Sequence, residues 1–392
     1  MKKSLLFLMC FCFMPTLTGC MDRVEMKDLA IIMAAGIDRL EDGQIRISVQ
    51  IFIPRAITSG ETGEDLSQGP IFVREGIGDN LANAVSMLQT NVPRRLFWGQ
   101  CKIYIFGNEL AKGGIRKEID YLTRHPGPRG KSFLYVSEGK ARGILTLVPP
   151  LERFSGTALR KLTEDEYGTK TTLKDVDMGL MGESESVSIP YIKKLESKES
   201  ARKSHETIPV IDGTAIFKKD RMVGTLNIKE TRGLLWLKDK VKRSTISIKA
   251  DDADGEITLT PTLGKVKFIP EITEGHWIMN LNINIEGDIV QNETHLNLMN
   301  EVVLMKVKKK YEVALKERVT GTVEKLQQEY AADVVNFARR FHQKYPKEWR
   351  KVEDRWDEKF QEVKFKINVN ATIRRPGYIG PPAALPKDEV IE

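Results

Sequence analysis

The sequence predicts a multi-domain α+β protein of mixed α/β and α+β character, with mixed or antiparallel sheets packed against helices and long helices near the C-terminus. Three patterns support this prediction. Every second residue from Ile45 to Ile53 is a β-branched apolar one, which is typical of a strand. Between residues 71 and 147, strand-like runs alternate with amphipathic helix patterns, and this order indicates layers of sheet and helix. From Leu298 to Gln328, apolar residues recur every three or four positions along one predicted helix face.

The N-terminus has the pattern of a lipoprotein signal peptide over residues 1–19. Two lysines precede an apolar run at 5–14, which is too short for a permanent membrane helix and long enough to engage the export machinery. The tetrapeptide Leu-Thr-Gly-Cys at 17–20 then matches a bacterial lipobox. We therefore expect cleavage between Gly19 and Cys20, although an ordinary signal peptide with an incidental cysteine is the alternative.

A lipobox implies that Cys20 carries a covalent diacylglyceryl lipid and an N-acyl lipid. Several acyl chains anchor a protein stably to a membrane, whereas a single chain gives only marginal binding. The chain after Cys20 is then expected at the outer face of a membrane. The other cysteines are Cys10, Cys12 and Cys101, and the first two leave with the signal. Cys101 alone stays unmodified, so no disulfide within the mature chain is expected, and a buried apolar role is favoured over a reactive thiol.

The first half is predicted to alternate strands with helices. A buried strand at 28–37 and the strand at 45–53 form a hairpin through an Asp-Gly turn. An exposed loop at 57–70 follows. The later elements are a strand at 71–74, a helix capped by Asp79, strands at 102–106, 133–136 and 187–195, and helices at 109–122, 141–147, 157–162 and 173–180.

The segment at 196–207 is almost free of apolar residues and is predicted to be a linker. It separates an N-terminal α/β region at 20–195, with a possible subdivision near residue 60, from a C-terminal α+β domain at 208–376. The Pro-rich end at 377–392 is predicted to be disordered.

The second half is predicted to pack an antiparallel sheet against helices. The predicted strands are at 210–217, 222–228, 245–248, 256–259, 265–268, 277–289 and 363–373, and the predicted helices are at 230–237, 298–328, 334–345 and 349–360. Lysines at 306 and 308–310 lie off the apolar stripe of the long helix. A solvated helix face is favoured there over a patch that binds lipid or a partner.

No pattern in the sequence indicates catalysis or metal binding. None of the five histidines has another histidine or a cysteine at metal-ligand spacing. No nucleophile elbow and no phosphate-binding glycine loop is present. The formal net charge of +7 is spread along the chain without interleaved aromatic residues, so nucleic acid is not an expected partner.

Short motifs follow one another in order along nearly the whole chain, and together they resemble the Ger(x)C family, the C subunits of bacterial spore germinant receptors. The motifs are Gly19-Cys20-Met21-Asp22-Arg23, Gly36-Ile37-Asp38, Arg95-Leu96-Phe97-Trp98-Gly99, Asp212-Gly213-Thr214-Ala215-Ile216-Phe217, Gly224-Thr225-Leu226, Glu230-Thr231-Arg232-Gly233, and Asp333 with Pro346, Trp349, Trp356 and Phe360. Two positions depart from the family pattern. Met21 stands where the family often has Trp, and Gln100 stands where it has His.

The resemblance implies a non-enzymatic lipoprotein on the outer face of the spore inner membrane. Such a subunit works with A and B subunits of the receptor in nutrient-triggered germination, and its expected partners are those subunits and membrane lipid. It implies no cofactor and no direct small-molecule ligand, since the B subunit is the usual candidate for germinant binding. Two other functions stay open: a solute-binding lipoprotein that captures a nutrient directly, and an enzyme of the cell envelope.

Two of the motifs are candidates for a partner surface. Glu230, Thr231 and Arg232 form an exposed surface or simply begin a helix, and the structural role is favoured. For Leu96, Phe97 and Trp98, core packing is favoured over an exposed contact, because aromatic residues are usually buried.

Overall fold

The computed structural model describes most of the chain between Glu25 and Arg374. The described residues are 25–52, 71–149, 151–152, 154–165, 168–195, 207–241, 244–250 and 253–374. The predicted signal peptide and lipobox, the loop at 57–70, nearly all of the linker at 196–207 and the tail at 377–392 lie outside these ranges.

A mixed sheet of nine strands organises the first half of the chain and receives two strands from the second half. Its strands are β1 (Leu29–Arg39), β2 (Ile45–Phe52), β3 (Ile71–Gly78), β4 (Arg95–Phe97), β5 (Ile103–Phe106), β6 (Phe133–Ser137), β7 (Ser186–Leu195), β8 (Ile208–Lys218) and β9 (Arg221–Leu226). Their order is β3-β2-β1-β5-β6-β7-β8-β9, with β4 paired to the start of β1. Parallel strands β1, β5, β6 and β7 form the centre, and antiparallel pairs flank them. The predicted hairpins β1–β2 and β8–β9 are confirmed.

Helices cover both faces of this sheet, because successive side chains of a buried strand point to opposite faces. The helices are α1 (Leu81–Thr90), α2 (Asn108–Gly113), α3 (Arg116–Arg124), α4 (Ala141–Leu145), α5 (Ser155–Glu164) and α6 (Leu173–Leu180). On β5, Tyr104 and Phe106 share a core with α1, α2, α3 and α6. Ile103 and Ile105 share the opposite core with α4 and α5. The predicted layering of sheet and helix is confirmed.

Two details of these helices differ from the prediction. The single helix expected at 109–122 is broken at Gly114, whose φ of +113° favours glycine and ends α2 before α3 begins. The cap of α1 is Asn80 rather than Asp79, because the Asn80 side chain accepts a hydrogen bond from the Asn83 N–H at 3.0 Å.

The second sheet has the order β10-β11-β12-β13. Its strands are β10 (Ile246–Lys249), β11 (Glu256–Thr273), β12 (His276–Asn292) and β13 (Lys364–Arg374). The strands expected at 256–259 and 265–268 are one strand, β11, which has an irregular register near Pro261. The expected antiparallel pairing holds for β10, β11 and β12 but is wrong for β13, which runs parallel to β12. The helices between β12 and β13 provide the crossover that a parallel pair requires.

The described part of the second half contains five helices: α7 (Ile228–Leu237), α8 (Glu301–Glu324), α9 (Phe337–Lys344), α10 (Pro346–Trp349) and α11 (Trp356–Glu362). The predicted apolar stripe of α8 is buried against the second sheet, from Val303 to Val323. A π-helical turn at Lys325–Glu329 ends this helix. The helix expected at 349–360 is divided between α10 and α11 by a 3-10 turn at Glu353–Arg355.

Strands β8 and β9 join the two halves. They pair into the large sheet, yet Ile216 and Leu226 pack into the core of the second half, whereas Ala215 and Phe217 pack into the core of the first. The β7–β8 pair connects residues on both sides of the predicted linker. The large sheet therefore contains strands from both sides of the predicted linker, and the division into domains at that segment stays a prediction.

Helices α7 and α8 meet closely at Gly233. A Cβ atom at Gly233 would lie 2.1 Å from Thr322 Oγ1 and 2.9 Å from the backbone oxygen of Arg318. The absence of a side chain at Gly233 therefore allows α7 to approach the backbone of α8.

Replacing Gly233 by alanine should destabilise the protein by about 1–3 kcal/mol, because the added methyl group meets the backbone of α8. Gly321→Ala is the matched control on α8, since no described atom lies within 4 Å of its added Cβ and alanine is the better helix former. Urea unfolding followed by circular dichroism measures both variants. Equal stability of the two would contradict the close approach at Gly233.

Lys238 directly follows α7 and ties it to the large sheet. Its Nζ donates a hydrogen bond to Ser188 Oγ on β7 at 2.6 Å. Burial lowers the pKa of Lys238 to about 8, and the positive charge of Lys240 adds to this, whereas Asp175 and Asp333 act in the opposite direction.

The contribution of Lys238 to the stability of the protein should rise from pH 8 towards pH 10. In this window the unfolded chain holds a proton on Lys238 that the folded chain has released, because the pKa in the folded chain is the lower one. One proton contributes a slope of at most about 1.4 kcal/mol per pH unit. Lys238→Met should remove this contribution, and Lys249→Met, at an exposed position of β10, should retain it. Identical pH profiles of urea unfolding for the wild type and Lys238→Met would refute the assignment.

Candidate functional site at the joint between the two halves

Several of the motif residues meet around α7. This helix packs against β8 and β9 of the large sheet, against β11 of the second sheet, and against α8. The Glu230-Thr231-Arg232-Gly233 segment forms its first turns.

Glu230 holds the start of α7 and links it to α8. Its Oε2 accepts a hydrogen bond from the Asn227 N–H at 2.8 Å, and the Asn227 side chain accepts one from the Glu230 N–H at 3.0 Å. This reciprocal pair is a capping box. Lys325 Nζ lies 3.1 Å and 3.2 Å from the two carboxylate oxygens. The carboxylate is therefore engaged within the chain.

Thr231 lies inside the joint. Its hydroxyl donates to Thr214 Oγ1 on β8 at 3.0 Å, and Thr214 in turn lies 3.4 Å from the hydroxyl of Thr169. Only 2% of Thr231 is exposed. Its buried side chain cannot contact a partner, so Thr231 is not part of the predicted partner surface.

Arg232 is half-buried and places a second positive charge beside Arg318 of α8. Burial, and then the charge of Arg232, lowers the pKa of Arg318. Nε and Nη1 of Arg318 are buried without a hydrogen-bond partner. Within the described ranges, neither arginine forms an ion pair with a carboxylate. Because the unpartnered donors of Arg318 are buried, Arg232 is the guanidinium group of the pair that is accessible to an acidic group of another molecule.

The Leu96-Phe97-Trp98 motif divides between core and surface. Leu96 and Phe97 lie on β4, where the Leu96 N–H donates to Gln89 Oε1 at 3.1 Å. Trp98 is buried against Gly127, whose added Cβ would lie 3.0 Å from Trp98 Cβ. Phe97 is 37% exposed. Trp98 is therefore excluded from the predicted partner surface, and Phe97 is the accessible aromatic residue of the motif.

Asp38 shows what the Gly36-Ile37-Asp38 motif does in the fold. Its two carboxylate oxygens accept hydrogen bonds from the N–H groups of Ala141, at 2.7 Å, and Arg142, at 3.1 Å, at the start of α4. Burial raises the pKa of Asp38, and these two hydrogen bonds oppose the rise. Sequence reasoning missed this role, and the available signal was a carboxylate directly after a buried strand.

Asp333, in the motif that also contains Trp349 and Trp356, likewise holds the start of a helix. Its oxygens accept hydrogen bonds from the N–H groups of Phe337 and Ala338 at the start of α9, and from Trp356 Nε1 at 3.2 Å. Burial raises its pKa, and these donors oppose the rise. Trp349 packs beside Trp356 at a ring distance of 5.0 Å. The motif therefore maintains an aromatic core.

The described residues contain no group of three or more His, Cys, Asp or Glu side chains arranged for a metal ion. Burial raises the pKa of the Cys101 thiol to about 12, which suppresses the reactive thiolate. In the part of the chain that the structure describes, no helix combines the length and apolar character needed to span a membrane. Gly19 and Cys20 lie outside the described residues, so cleavage and lipidation there stay predictions.

Both halves of the chain match family models of spore germination proteins. Residues 22–194 match the model described as "Spore germination protein N-terminal domain". Residues 212–377 match the one described as "Spore germination B3/ GerAC like, C-terminal".

Individual relatives extend over nearly the whole chain. Spore germination protein KC of Bacillus subtilis (strain 168) is 27% identical over 393 residues, which is 96% of each chain. Spore germination protein B3 of the same organism is 23% identical and covers 97% of this chain and 100% of its own. The crystal structure of the GerBC protein has the same fold, with a TM-score of 0.58 at 20% identity, over 87% of this chain and 97% of that one. This chain belongs to the GerAC family of spore germination proteins, which is the Ger(x)C family of germinant receptor C subunits that its motifs resemble.

Proposed function

We propose that this chain is a lipid-anchored C subunit that supports nutrient-triggered germination through contacts with the A and B subunits of its receptor. The observation that carries the proposal is the ordered match of both family models along the chain. Relatives that cover nearly its full length are named spore germination proteins. The role is one of assembly or signalling and includes no catalysis.

The motif carboxylates form hydrogen bonds within the fold, and this supports a role through protein contacts. Asp38, Glu230 and Asp333 each hold the start of a helix, so their carboxylates maintain the fold. Arg232 and Arg318 carry positive charges at the joint without an ion pair among the described residues. This positive site fits an acidic segment of a partner subunit.

The proposed location is the outer face of the spore inner membrane. The lipids on Cys20 would hold the chain next to membrane-embedded subunits. Because tethering raises the effective concentration of one binding partner near another, modest contacts are then sufficient for assembly.

Cys20→Ala should leave the domains folded and impair germination, because the unlipidated chain loses its tether. Cys101→Ala is the control, since Cys101 is a buried cysteine that the lipid does not modify. Spores with matched amounts of each variant are compared by fatty-acid labelling and by the loss of optical density after nutrient addition. Full germination with the unlipidated chain at native abundance would contradict the proposed requirement for the lipid anchor.

Arg232→Gln should weaken the association with the A and B subunits about tenfold, which corresponds to about 1.4 kcal/mol. The control is Arg124→Gln, because Arg124 is an exposed arginine that pairs with Asp120 at 3.5 Å on α3. The measurement is the amount of A and B subunit that co-purifies with each variant, together with its urea unfolding curve. Unchanged co-purification with Arg232→Gln would exclude this arginine from the contact.

A further inference from the structure

A cleft of about 660 Å³ lies at one end of the large sheet. Its walls are the β1–β2 turn, the start of α1, the junction of α2 with α3, and the β8–β9 turn. Small-molecule sites in proteins have volumes of about 300–1,000 Å³. The cleft lies where parallel strand β1 ends at Arg39, and the carboxyl ends of parallel strands commonly border ligand sites in such sheets.

Two opposite charges reach the same short stretch of backbone in this cleft. A Cβ atom on Gly113 would lie 2.1 Å from Arg39 Nη1, and one on Gly114 would lie 2.7 Å from Asp220 Oδ2. Both glycines line the cleft, so the guanidinium group of Arg39 and the carboxylate of Asp220 lie at the same part of its wall. Within the described ranges, neither Arg39 nor Asp220 forms an ion pair. Arg39 Nη2 donates to the Gly114 carbonyl at 3.3 Å, which leaves its other donors available.

A buried carboxyl group with one unpartnered oxygen lies in the same wall. Glu118 is 3% exposed, and its Oε2 has no hydrogen-bond partner among the described residues. Buried polar atoms are normally hydrogen-bonded. Burial raises the pKa of Glu118, a hydrogen bond from its own backbone N–H and then the charges of Arg39 and Lys117 oppose that rise, and Asp220 adds to it. Glu118 therefore interacts electrostatically with both Arg39 and Asp220, and its Oε2 atom has no hydrogen-bond donor.

The rest of the lining adds positive character. Arg116, Lys117 and Arg221 are exposed at the cleft, and no carboxylate in the described part of the chain pairs with them. Leu81 and Ala82, at the start of α1, also line the cleft, and the N–H groups in the first turn of a helix favour anions.

We propose that this cleft binds a small zwitterion, with its carboxylate held by Arg39 and the neighbouring cations and its ammonium group against Glu118 and Asp220. A simple anion would leave Glu118 Oε2 without a donor and would face three carboxyl groups, those of Asp79, Glu118 and Asp220. A simple cation would face four positively charged side chains. A molecule that carries both charges a few ångströms apart satisfies the two sides together. The family resemblance implied no small-molecule ligand, so this site goes beyond the proposed function.

The test uses the full chain purified in detergent and saturation-transfer NMR. The probes are three zwitterions of increasing charge separation, which are glycine, β-alanine and 4-aminobutyrate, together with butyrate and butylammonium as the separate halves. At least one zwitterion should bind, at least tenfold more tightly than either half. Glu118→Gln should weaken that binding at least tenfold, because a neutral amide does not attract the ammonium group. Arg124→Gln, at the exposed end of the same helix, should bind as the wild type does.

Three results would overturn the proposal: no binding of any zwitterion at 20 mM, binding of butyrate or butylammonium as tight as that of the best zwitterion, or unchanged binding to Glu118→Gln. If Glu118→Gln does not fold, Asp220→Asn in the β8–β9 turn provides the same comparison. Since the A and B subunits are absent from this experiment, its outcome is independent of the proposed subunit contacts.

Discussion

Helix α7 is held on three sides, and the connection between the two halves depends on these contacts. Thr231 donates a hydrogen bond to Thr214 of the large sheet, and Lys238 donates one to Ser188 on β7. At Gly233 the absence of a side chain allows the backbone of α8 to approach closely. Ile216 and Leu226 extend the large sheet into the core of the second half. Because a packed and hydrogen-bonded joint has few alternative arrangements, we expect the two halves to move as one body.

Local patterns in the sequence were sufficient for much of this fold. Period-two alternation identified the β1–β2 hairpin, and the apolar stripe identified α8, because both depend on neighbouring residues. The parallel pairing of β13 and the capping of α4 by Asp38 depend on residues far apart in the chain, and periodicity contains no such information. The residue types in the motifs likewise do not indicate which side chains are buried. Thr231 and Trp98 were therefore candidates for a surface from which the structure excludes them.

The family motifs act mainly on shape. Their carboxylates hold helix starts and their aromatic residues fill cores, which fits a protein whose effect depends on presenting a rigid surface. Among the described residues, charged side chains without an ion pair include Arg232 and Arg318 at the joint and Arg39 and Asp220 in the cleft beside Glu118. We propose an acidic protein segment as the partner of the first and a small zwitterion as the ligand of the second.

The central claim is that the chain works as a tethered body in contact with the A and B subunits. Cross-linking mass spectrometry of receptor isolated from spores tests it most directly. We predict cross-links from lysines near the α7–α8 joint, such as Lys229 and Lys325, to at least one of those subunits. Intrachain cross-links without any to A or B, in a preparation that contains all three subunits, would contradict the account.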